Sequence, residues 1–322
     1  MKMQFEPPST PPEPPSRIVG DRGGDEVYRY TPELTFAVNV ALAARRPLLI
    51  TGPSGCGKSS LARSIAKIKK WRYVEQVISS RTQAQDLLWR FDAVRRLSDG
   101  AAGSLDPKAY HKYIEPGVLW WAFQPKSAAL RGFRKVVLPE MEMPVAPYPE
   151  NGQTDPDMPA VVLIDEIDKA DPDVPNALLV PIGSYIFRVD GVEAPIAADD
   201  RRPPLIVITS NGERDLPAAF RRRCVEFTIV PPDKQLLRSI ALAHFGVSEN
   251  LGAFCDAILA RAANRADADD HSNPKGPCIN TAQFLDAIRA CFELNVKPAK
   301  ELDKAVKILS VVWPAGGVGG AP

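Results

Sequence analysis

The sequence is poor in the patterns that build metal centres and disulfide frameworks. Its five cysteines are scattered and form no CxxC pair, and none of its three histidines lies at metal-ligand spacing to another histidine or to a cysteine. A structural zinc site needs several such ligands at short spacing, and a disulfide framework needs paired cysteines. We therefore expect neither, and we assign the cysteines and histidines ordinary structural or surface roles.

Long apolar runs and a surplus of charge are also missing. No uninterrupted apolar stretch approaches the roughly 18 residues that a membrane helix needs, and the N-terminal MKMQFEPPST has no apolar signal core. The formal net charge of +1 implies no protein-wide attraction to nucleic acid or to an anionic membrane. The expectation is a soluble, cytoplasmic protein with no membrane partner, in which a local basic groove remains open.

Proline is concentrated near the N-terminus. The six prolines of residues 6–15 remove backbone donors and fix φ, which favours an extended, solvated segment over packed structure. We predict a disordered proline-rich arm over 1–24, with a docking segment as the alternative. The ending PAGGVGGAP predicts a flexible tail over 313–322.

Between these ends, short apolar strands alternate with helical patterns. We predict helices over 31–44 and 58–66 and strands over 47–51, 73–78, 160–165, 205–209 and 225–229. Such alternation is typical of a parallel α/β sheet. We expect this core to span 25–232 and to carry a surface insertion, rich in proline and acids, over 139–159.

The pattern changes after Pro231 and Pro232. From there on it contains helices only, over 233–245, 250–264, 279–292 and 299–311. The predicted fold class is therefore α/β, a parallel-sheet core followed by an all-α domain over 233–312.

The segment GPSGCGKS, residues 52–59, fits the phosphate-binding pattern GxxxxGK[ST] between a predicted strand and a predicted helix. Its glycines let backbone N–H groups converge on phosphate oxygens, its lysine reaches the β and γ phosphates, and the hydroxyl after it binds Mg²⁺. The predicted nucleotide-binding residues of this P-loop are Gly52, Pro53, Ser54, Gly55, Cys56, Gly57, Lys58, Ser59 and Ser60. Ser59 is also a predicted Mg²⁺ ligand, whereas the Cys56 thiol has no required role.

Two carboxylates follow the apolar strand VVLI. Asp165 and Glu166 come at its carboxyl end, where ligands bind in open parallel sheets. We predict that Asp165 holds Mg²⁺, directly or through water, and that Glu166 polarises the attacking water. Acids at strand ends are also ordinary caps, but together with the P-loop the pair predicts an enzyme that hydrolyses ATP.

Later polar residues complete the predicted site. Asn211 follows the strand LIVIT, where it can orient water or contact the γ-phosphate, although asparagine is also a common turn residue. Arg222 and Arg223 end a short predicted helix, and one of them is the candidate arginine finger that acts from a neighbouring subunit. The alternatives for this arginine cluster are a cationic helix end and a nucleic-acid patch.

The segments GPSGCGKS, LIDEIDKA and ITSNGERDLPAAFRRRC, in this order, resemble the MoxR-like AAA+ ATPases. The resemblance runs from about residue 28 to 311. It implies a P-loop NTPase core of AAA+ type with a helical lid, a hexameric ring with ATP at the subunit interfaces, and chaperone-like remodelling of a protein substrate, often with a von Willebrand A domain partner. It also implies that Arg223, the last arginine before Cys224, is the finger and that Arg222 is the reserve candidate.

The chain departs from that family in two segments. Many relatives open a lid helix with an arginine that touches the γ-phosphate, but the matching stretch 276–283 contains none, so Asn280 or Thr281 is the candidate for a weaker contact. The aromatic segment 81–138 replaces shorter family sequences. We expect core packing for the adjacent Trp120 and Trp121, with exposure of one of them to a neighbour or a substrate as the alternative.

The leading functional hypothesis is a ring-forming homo-oligomer that uses ATP hydrolysis to remodel a partner protein. Two alternatives remain open. One is a nucleic-acid-associated motor, for which the basic stretch 67–72 would serve, although its charges also fit a solvated helix end. The other is a switch in a defence or signalling system that uses ATP to assemble.

Overall fold

The computed structural model describes residues 3–8, 27–103, 110–133, 154–269 and 279–296, with 144, 147 and 308 as single positions. Contacts divide the chain into two units. The first contains the described residues of Met1–Pro7, Tyr30–Thr51 and Ala62–Thr228, and the second those of Pro8–Arg29, Gly52–Leu61 and Ile229–Pro322. The P-loop thus groups with the C-terminal helices, which the sequence did not indicate. The predicted domain limits stay predictions.

A parallel sheet lies at the centre of the first unit. In chain order, the strands are β1 (Leu48–Thr51), β2 (Arg72–Val77), β3 (Trp89–Phe91), β4 (Ile114–Pro116), β5 (Ala160–Asp165), β6 (Ile186–Phe187), β7 (Ile196–Ala197), β8 (Leu205–Ser210) and β9 (Val225–Thr228). The sheet has the strand order β2-β5-β8-β1-β9, and all its pairs are parallel. β3 pairs with β4, and β6 with β7, as antiparallel ribbons. The predicted parallel α/β architecture is confirmed.

Helices and short 3₁₀ turns connect these strands. The helices are α1 (Pro32–Ala44), α2 (Lys58–Lys69), α3 (Ala93–Ala101), α4 (Val118–Phe123), α5 (Pro125–Ala129), α6 (Asp173–Ala177), α7 (Leu179–Ser184) and α8 (Ala218–Arg221). The 3₁₀ turns cover Ala84–Leu87, Tyr110–Tyr113 and Ile167–Lys169. The aromatic segment forms β3, α3 and β4, which lie between β2 and β5 in the chain.

The strand register places three carboxyl ends at one edge of the sheet. Thr51 of β1 pairs with Ser210 of β8, and Ile164 of β5 pairs with Ile208 of β8. The interior positions of β5 and β8 are at most 2% exposed, as expected for parallel strands covered on both faces. Because apolar packing hides both faces, this edge is where polar residues after the strands reach solvent.

The first residues of the predicted arm pack against α1. Phe5 is 1% exposed, and its backbone N–H and C=O both bond to the side-chain amide of Asn39, at 2.9 and 2.8 Å. The rings of Phe5 and Tyr30 lie 5.2 Å apart. Phe5 therefore departs from the expectation of a disordered arm, because a buried amide replaces the water that its backbone would otherwise need. Residues 9–24 of the arm lie outside the described residues.

α4 is a short apolar helix in the core of the first unit. Trp120 is fully buried and Trp121 is 5% exposed. The buried guanidinium of Arg72 donates to the carbonyl oxygens of Trp121 and Ala122 at the end of the helix, at 2.7 and 3.0 Å, where a cation also suits the helix dipole. The predicted core packing of both tryptophans is confirmed.

The second unit has a helical core of its own. Its helices are α9 (Lys234–Phe245), α10 (Glu249–Asp269) and α11 (Thr281–Glu293). Leu237 of α9, Ile258 of α10 and Phe284 of α11 are at most 1% exposed and belong to one apolar cluster. The predicted helix over 299–311 lies outside the described residues except for Ile308, and so does the predicted tail. Most of the predicted insertion 139–159 also lies outside them.

Of the helices in the described ranges, none is both long and apolar enough to cross a membrane.

We predict that His244 makes the second unit sensitive to acid. Burial lowers the pKa of His244 from 6.5 to about 4, with a further contribution from Arg289. Between pH 6.5 and about 4, His244 is therefore protonated in the unfolded chain and neutral in the folded chain. Stability is therefore complete above pH 6.5 and falls by up to about 3 kcal/mol as the pH approaches 4.

The check is the thermal unfolding midpoint, followed by circular dichroism between pH 7.5 and 4.5. His244→Gln keeps a polar side chain that does not titrate in this range, so its midpoint should fall less steeply with acid than that of the parent. Parallel curves for the two proteins would contradict the role of His244.

Candidate functional site

The P-loop leaves the sheet at the end of β1 and enters α2 at Lys58. The Lys58 side chain is buried, and its ammonium group donates to the carbonyl oxygens of Gly52 and Pro53, both at 2.8 Å. The ammonium group of Lys58, the backbone N–H groups of the glycine-rich loop and the N-terminus of a helix of 12 residues lie together here. These are the donors that a polyphosphate requires. The residues present therefore fit the phosphates of ATP.

The loop is also shaped by its own neighbours. A Cβ added at Gly52 would lie 2.6 Å from the carbonyl oxygen of Ile229, closer than real Cβ contacts. Burial raises the pKa of the Cys56 thiol, although Lys58 opposes the shift. The Cys56 side chain therefore remains a neutral thiol, and the predicted contribution of this residue rests on its backbone.

Thr209 of β8 bonds to both acidic residues at the end of β5, to the carboxylate of Asp165 and to the backbone of Glu166. Its side chain is fully buried; its hydroxyl donates to Asp165 Oδ1 and accepts from the backbone N–H of Glu166 at 2.9 Å. Asp165 is therefore fixed beside β8 with its carboxylate at the sheet edge. Sequence reasoning missed Thr209, although a threonine at the end of a buried apolar strand is a detectable signal.

Glu166 lies at the first position after β5 in a left-handed conformation, with φ 60° and ψ 47°. Its Oε1 accepts from the Asn211 side chain at 3.3 Å, and its Oε2 accepts from the Lys169 ammonium group at 2.7 Å. The hydrogen bond to Glu166 raises the pKa of Lys169. The structure thus brings Glu166 and Asn211 together, as the prediction requires, and adds Lys169, which the sequence did not single out.

Asp168 holds the loop that carries Asn211. Its side chain is 2% exposed, and Oδ2 accepts from the backbone N–H groups of Asn211 and Glu213, at 3.0 and 2.9 Å. Asp168 is a second residue that sequence reasoning missed. The signal in the sequence is an acidic residue two positions after Glu166, within the turn that follows β5.

The three consecutive arginines at the end of α8 are exposed and have different partners. Arg221 pairs with Glu226 at 2.6 Å. Arg223 donates to the carbonyl oxygen of Ala219 at 3.2 Å, and no carboxylate in the described part of the chain pairs with it or with Arg222. The two predicted finger residues are therefore accessible from outside, whereas Arg221 is engaged.

The two predicted metal ligands, Ser59 and Asp165, offer oxygen atoms, which are the ligand type that Mg²⁺ prefers. The described residues contain no group of three or more His, Cys, Asp or Glu side chains that could hold a metal ion. Mg²⁺ binds through one or two protein ligands and completes its shell with water and substrate phosphates. Ser59 and Asp165, the two predicted ligands, are of the type that this coordination uses.

A protein-family model described as AAA domain (dynein-related subfamily) matches residues 47–224. That range covers more than half of the chain and includes the P-loop, the two acidic residues at the end of β5, Asn211 and the arginines at the end of α8. The chain belongs to the AAA family, in its dynein-related subfamily. The parallel sheet described above is accordingly the sheet of an AAA+ P-loop NTPase fold.

Solved structures that match this AAA chain over most of its length include RuvB proteins of Thermotoga maritima. A structure described as the RuvB Holliday junction branch migration motor is 16% identical, with 94% of this AAA chain and 72% of that chain covered and a TM-score of 0.44. A RuvB point mutant is 16% identical, with 89% and 72% covered and a TM-score of 0.47. No curated protein matches the sequence of this AAA chain at a significant level.

We predict that Asp168→Ala destabilises this AAA chain by about 1.5–3 kcal/mol, because two backbone N–H groups lose a charged acceptor. Asp168→Asn keeps an acceptor oxygen and should lose less. The measurement is the free energy of unfolding in urea. The control is Asp190→Asn, at an exposed aspartate of the first unit, which should stay within about 0.5 kcal/mol of the parent. An equally small effect of Asp168→Ala would contradict the role of Asp168.

Proposed function

We propose that this AAA protein binds ATP with Mg²⁺ and hydrolyses it to ADP and phosphate. The observation that carries the proposal is the arrangement of Glu166. Its carboxylate lies beside the Asn211 amide, at the sheet edge where β1, β5 and β8 end. A carboxylate and an amide held together in this way can align and deprotonate an attacking water.

The P-loop residues have a binding role in this proposal. Lys58 moves its ammonium group from the loop carbonyls to the β and γ phosphates, and the loop N–H groups and the helix N-terminus supply further donors. Ser59 and Asp165 hold Mg²⁺. Bound Mg²⁺ supplies charge neutralisation at the phosphate that is transferred to water.

Glu166 is the proposed base. The Thr209 hydroxyl fixes its backbone, and Asn211 fixes one of its carboxylate oxygens, so the group is positioned before substrate arrives. The oxygen that accepts from Lys169 is the one that must exchange this partner for water. Accepting a proton from water at this oxygen is the step that belongs to Glu166.

Arg223 is the proposed arginine finger, with Arg222 as the reserve. Both guanidinium groups are exposed and unpaired with acids in the described part of the chain. This accessibility suits an action on the ATP of a neighbouring subunit, where a guanidinium stabilises charge on the transferring phosphoryl group. We therefore propose a ring-forming homo-oligomer, a hexamer by the MoxR-like resemblance.

The work performed by this ring is proposed to be the remodelling or maturation of a partner protein. The support is the resemblance of residues 28–311 to MoxR-like AAA+ ATPases. The same resemblance makes a von Willebrand A domain protein the candidate partner. The buried state of Trp120 and Trp121 removes both indoles from the surfaces on which nucleic-acid bases could stack. The protein partner therefore remains the preferred proposal.

We predict that Glu166→Gln lowers ATP turnover by about 10²–10⁴-fold, because the amide cannot accept the proton of water. ATP binding should persist, since the P-loop is unchanged, and the protein should accumulate as an ATP-bound oligomer. Phosphate release, fluorescent ATP binding and mass photometry measure the three properties. Proteins that co-purify with this trapped form are the direct route to the partner.

The matched control is Glu213→Gln, at an exposed carboxylate two residues after Asn211, which should keep turnover within about twofold of the parent. Normal turnover in Glu166→Gln would remove Glu166 from the mechanism.

We also predict complementation between two inactive variants. Arg223→Ala should lower turnover by about 10³-fold or more, and Lys58→Ala should abolish nucleotide binding. In an equal mixture, roughly one interface in four joins an intact P-loop to an intact arginine if subunits assemble at random around a ring. Turnover should recover accordingly.

The control for this mixture is Arg221→Ala, since Arg221 is engaged by Glu226. This variant should need no complementation. Absence of rescue at every mixing ratio would exclude an action of Arg223 in trans.

A further inference from the structure

The first turn of α11 lies directly against the P-loop, inside the second unit. A Cβ added at Gly55 would come within 2.7 Å of both Cγ and Nδ2 of Asn280. The backbone N–H of Ala282 donates to the Gly55 carbonyl oxygen at 3.2 Å. One peptide of the loop is therefore in contact with both a side chain and a backbone donor of the same helix end.

The side chain of Asn280 is not able to move independently of α11. Asn280 Oδ1 accepts from the Gln283 backbone N–H at 2.8 Å, and the Asn280 backbone N–H donates to Gln283 Oε1 at 3.4 Å, which is a capping box. Ile279 and Phe284 on either side are at most 2% exposed. A displacement of Gly55 is consequently transmitted to α11 as a whole and not absorbed by one flexible side chain.

Charge does not provide the contact at this end of α11. In the described part of the helix, the first arginine is Arg289, eight residues after Thr281 and about 12 Å along the axis. Arg289 pairs with Asp286 of the same helix at 3.3 Å. The start of α11 contacts the P-loop through Asn280 and the Ala282 N–H, and not through a guanidinium group that binds a phosphate.

The Gly55 carbonyl and the Cys56 N–H belong to the same peptide group. If the Cys56 N–H donates to a phosphate oxygen, the peptide is polarised and its carbonyl becomes a stronger acceptor, since hydrogen bonds in a chain reinforce one another by about 10–30%. The Ala282 N–H is the group that gains from this. Phosphate binding on one side of the peptide thus strengthens the bond to α11 on the other side.

We propose that the helical unit senses nucleotide through the Gly55 peptide, with Asn280 as the positioning residue that holds α11 against it. The proposal rests on the proposed function in one respect, which is that the P-loop binds a nucleotide. In this arrangement α11 responds to occupation of the loop itself and needs no charged contact with the γ-phosphate. Gly55 is required because any side chain there would separate Asn280 from the loop.

The test is amide hydrogen exchange of the segment 279–293, with and without the ATP analogue adenylyl imidodiphosphate. In the parent protein, the analogue should slow exchange in the first turn of α11 by about fivefold, equivalent to about 1 kcal/mol, which lies within a strengthening of about 10–30% of a gross hydrogen-bond energy of about 4–6 kcal/mol. Gly55→Ala should reduce this effect to less than about twofold, and it should speed exchange there without nucleotide as well.

A second substitution separates the contact from the strain of alanine at φ +75°. Asn280→Gly removes the side chain that the new methyl group would meet, and glycine is itself an accepted N-cap that costs only a few tenths of a kcal/mol. The double variant Gly55→Ala with Asn280→Gly should regain part of the nucleotide effect. Gly103→Ala is the matched control, because Gly103 has φ +72° and no atom within 4 Å of an added Cβ.

The outcomes separate the two proposals. If the parent protein fails to bind the analogue in a fluorescence titration, the proposed function fails and the sensing mechanism fails with it. If the parent binds but exchange in α11 is unchanged, or if Gly55→Ala keeps the full effect, only the sensing mechanism is overturned. The same follows if the double variant regains nothing.

Should Gly55→Ala not fold, Asn280→Ser provides the test on its own. Serine keeps the N-cap but is too short to reach Gly55 as the asparagine amide does. The nucleotide effect on α11 should then fall to about half, and an undiminished effect would overturn the proposal.

Discussion

The parallel ladder that joins β5 to β8 and β8 to β1 determines where the acidic residues of the site lie. Ile164 is paired with Ile208, so the next residues, Asp165 and Thr209, meet at the sheet edge, and the threonine hydroxyl can bond to the carboxylate and to the following backbone N–H. A register slip of one residue would turn Thr209 to the other face of the sheet. The chemistry at this edge therefore depends on backbone pairing before it depends on any side chain.

The surroundings of Glu166 keep it in a backbone conformation that costs about 1–3 kcal/mol for a residue with a side chain. Thr209 bonds to its N–H, and Asn211 and Lys169 bond to its two carboxylate oxygens. Asp168 fixes Asn211 through the backbone of the adjoining loop. The carboxylate is thus positioned in advance by groups from β8, from the loop after it and from the turn after β5, which reduces the reorganisation that hydrolysis would demand.

Two separate physical constraints favour glycine at positions of the P-loop. Phosphate recognition needs backbone N–H groups that a ligand can approach closely. In addition, Gly52 lies against the backbone of Ile229 and Gly55 against the side chain of Asn280, where a Cβ would collide with the chain itself. The loop is in contact with the start of α11 through neutral polar groups, so this contact does not depend on a charged residue there.

The sequence by itself determined the alternation of strands and helices, the parallel sheet and the P-loop, because hydrophobic periodicity and glycine spacing are local properties. The roles predicted for Asp165, Glu166, Asn211 and Arg223 stay predictions, although the structure brings the first three together. Tertiary structure alone decided the rest: the buried Thr209 bridge, Asp168 as the support of the Asn211 loop, the Phe5–Asn39 contact and the approach of Asn280 to Gly55. Each of these joins residues about 34 or more positions apart or depends on strand register, and no local pattern encodes which distant partners folding will bring within hydrogen-bond distance.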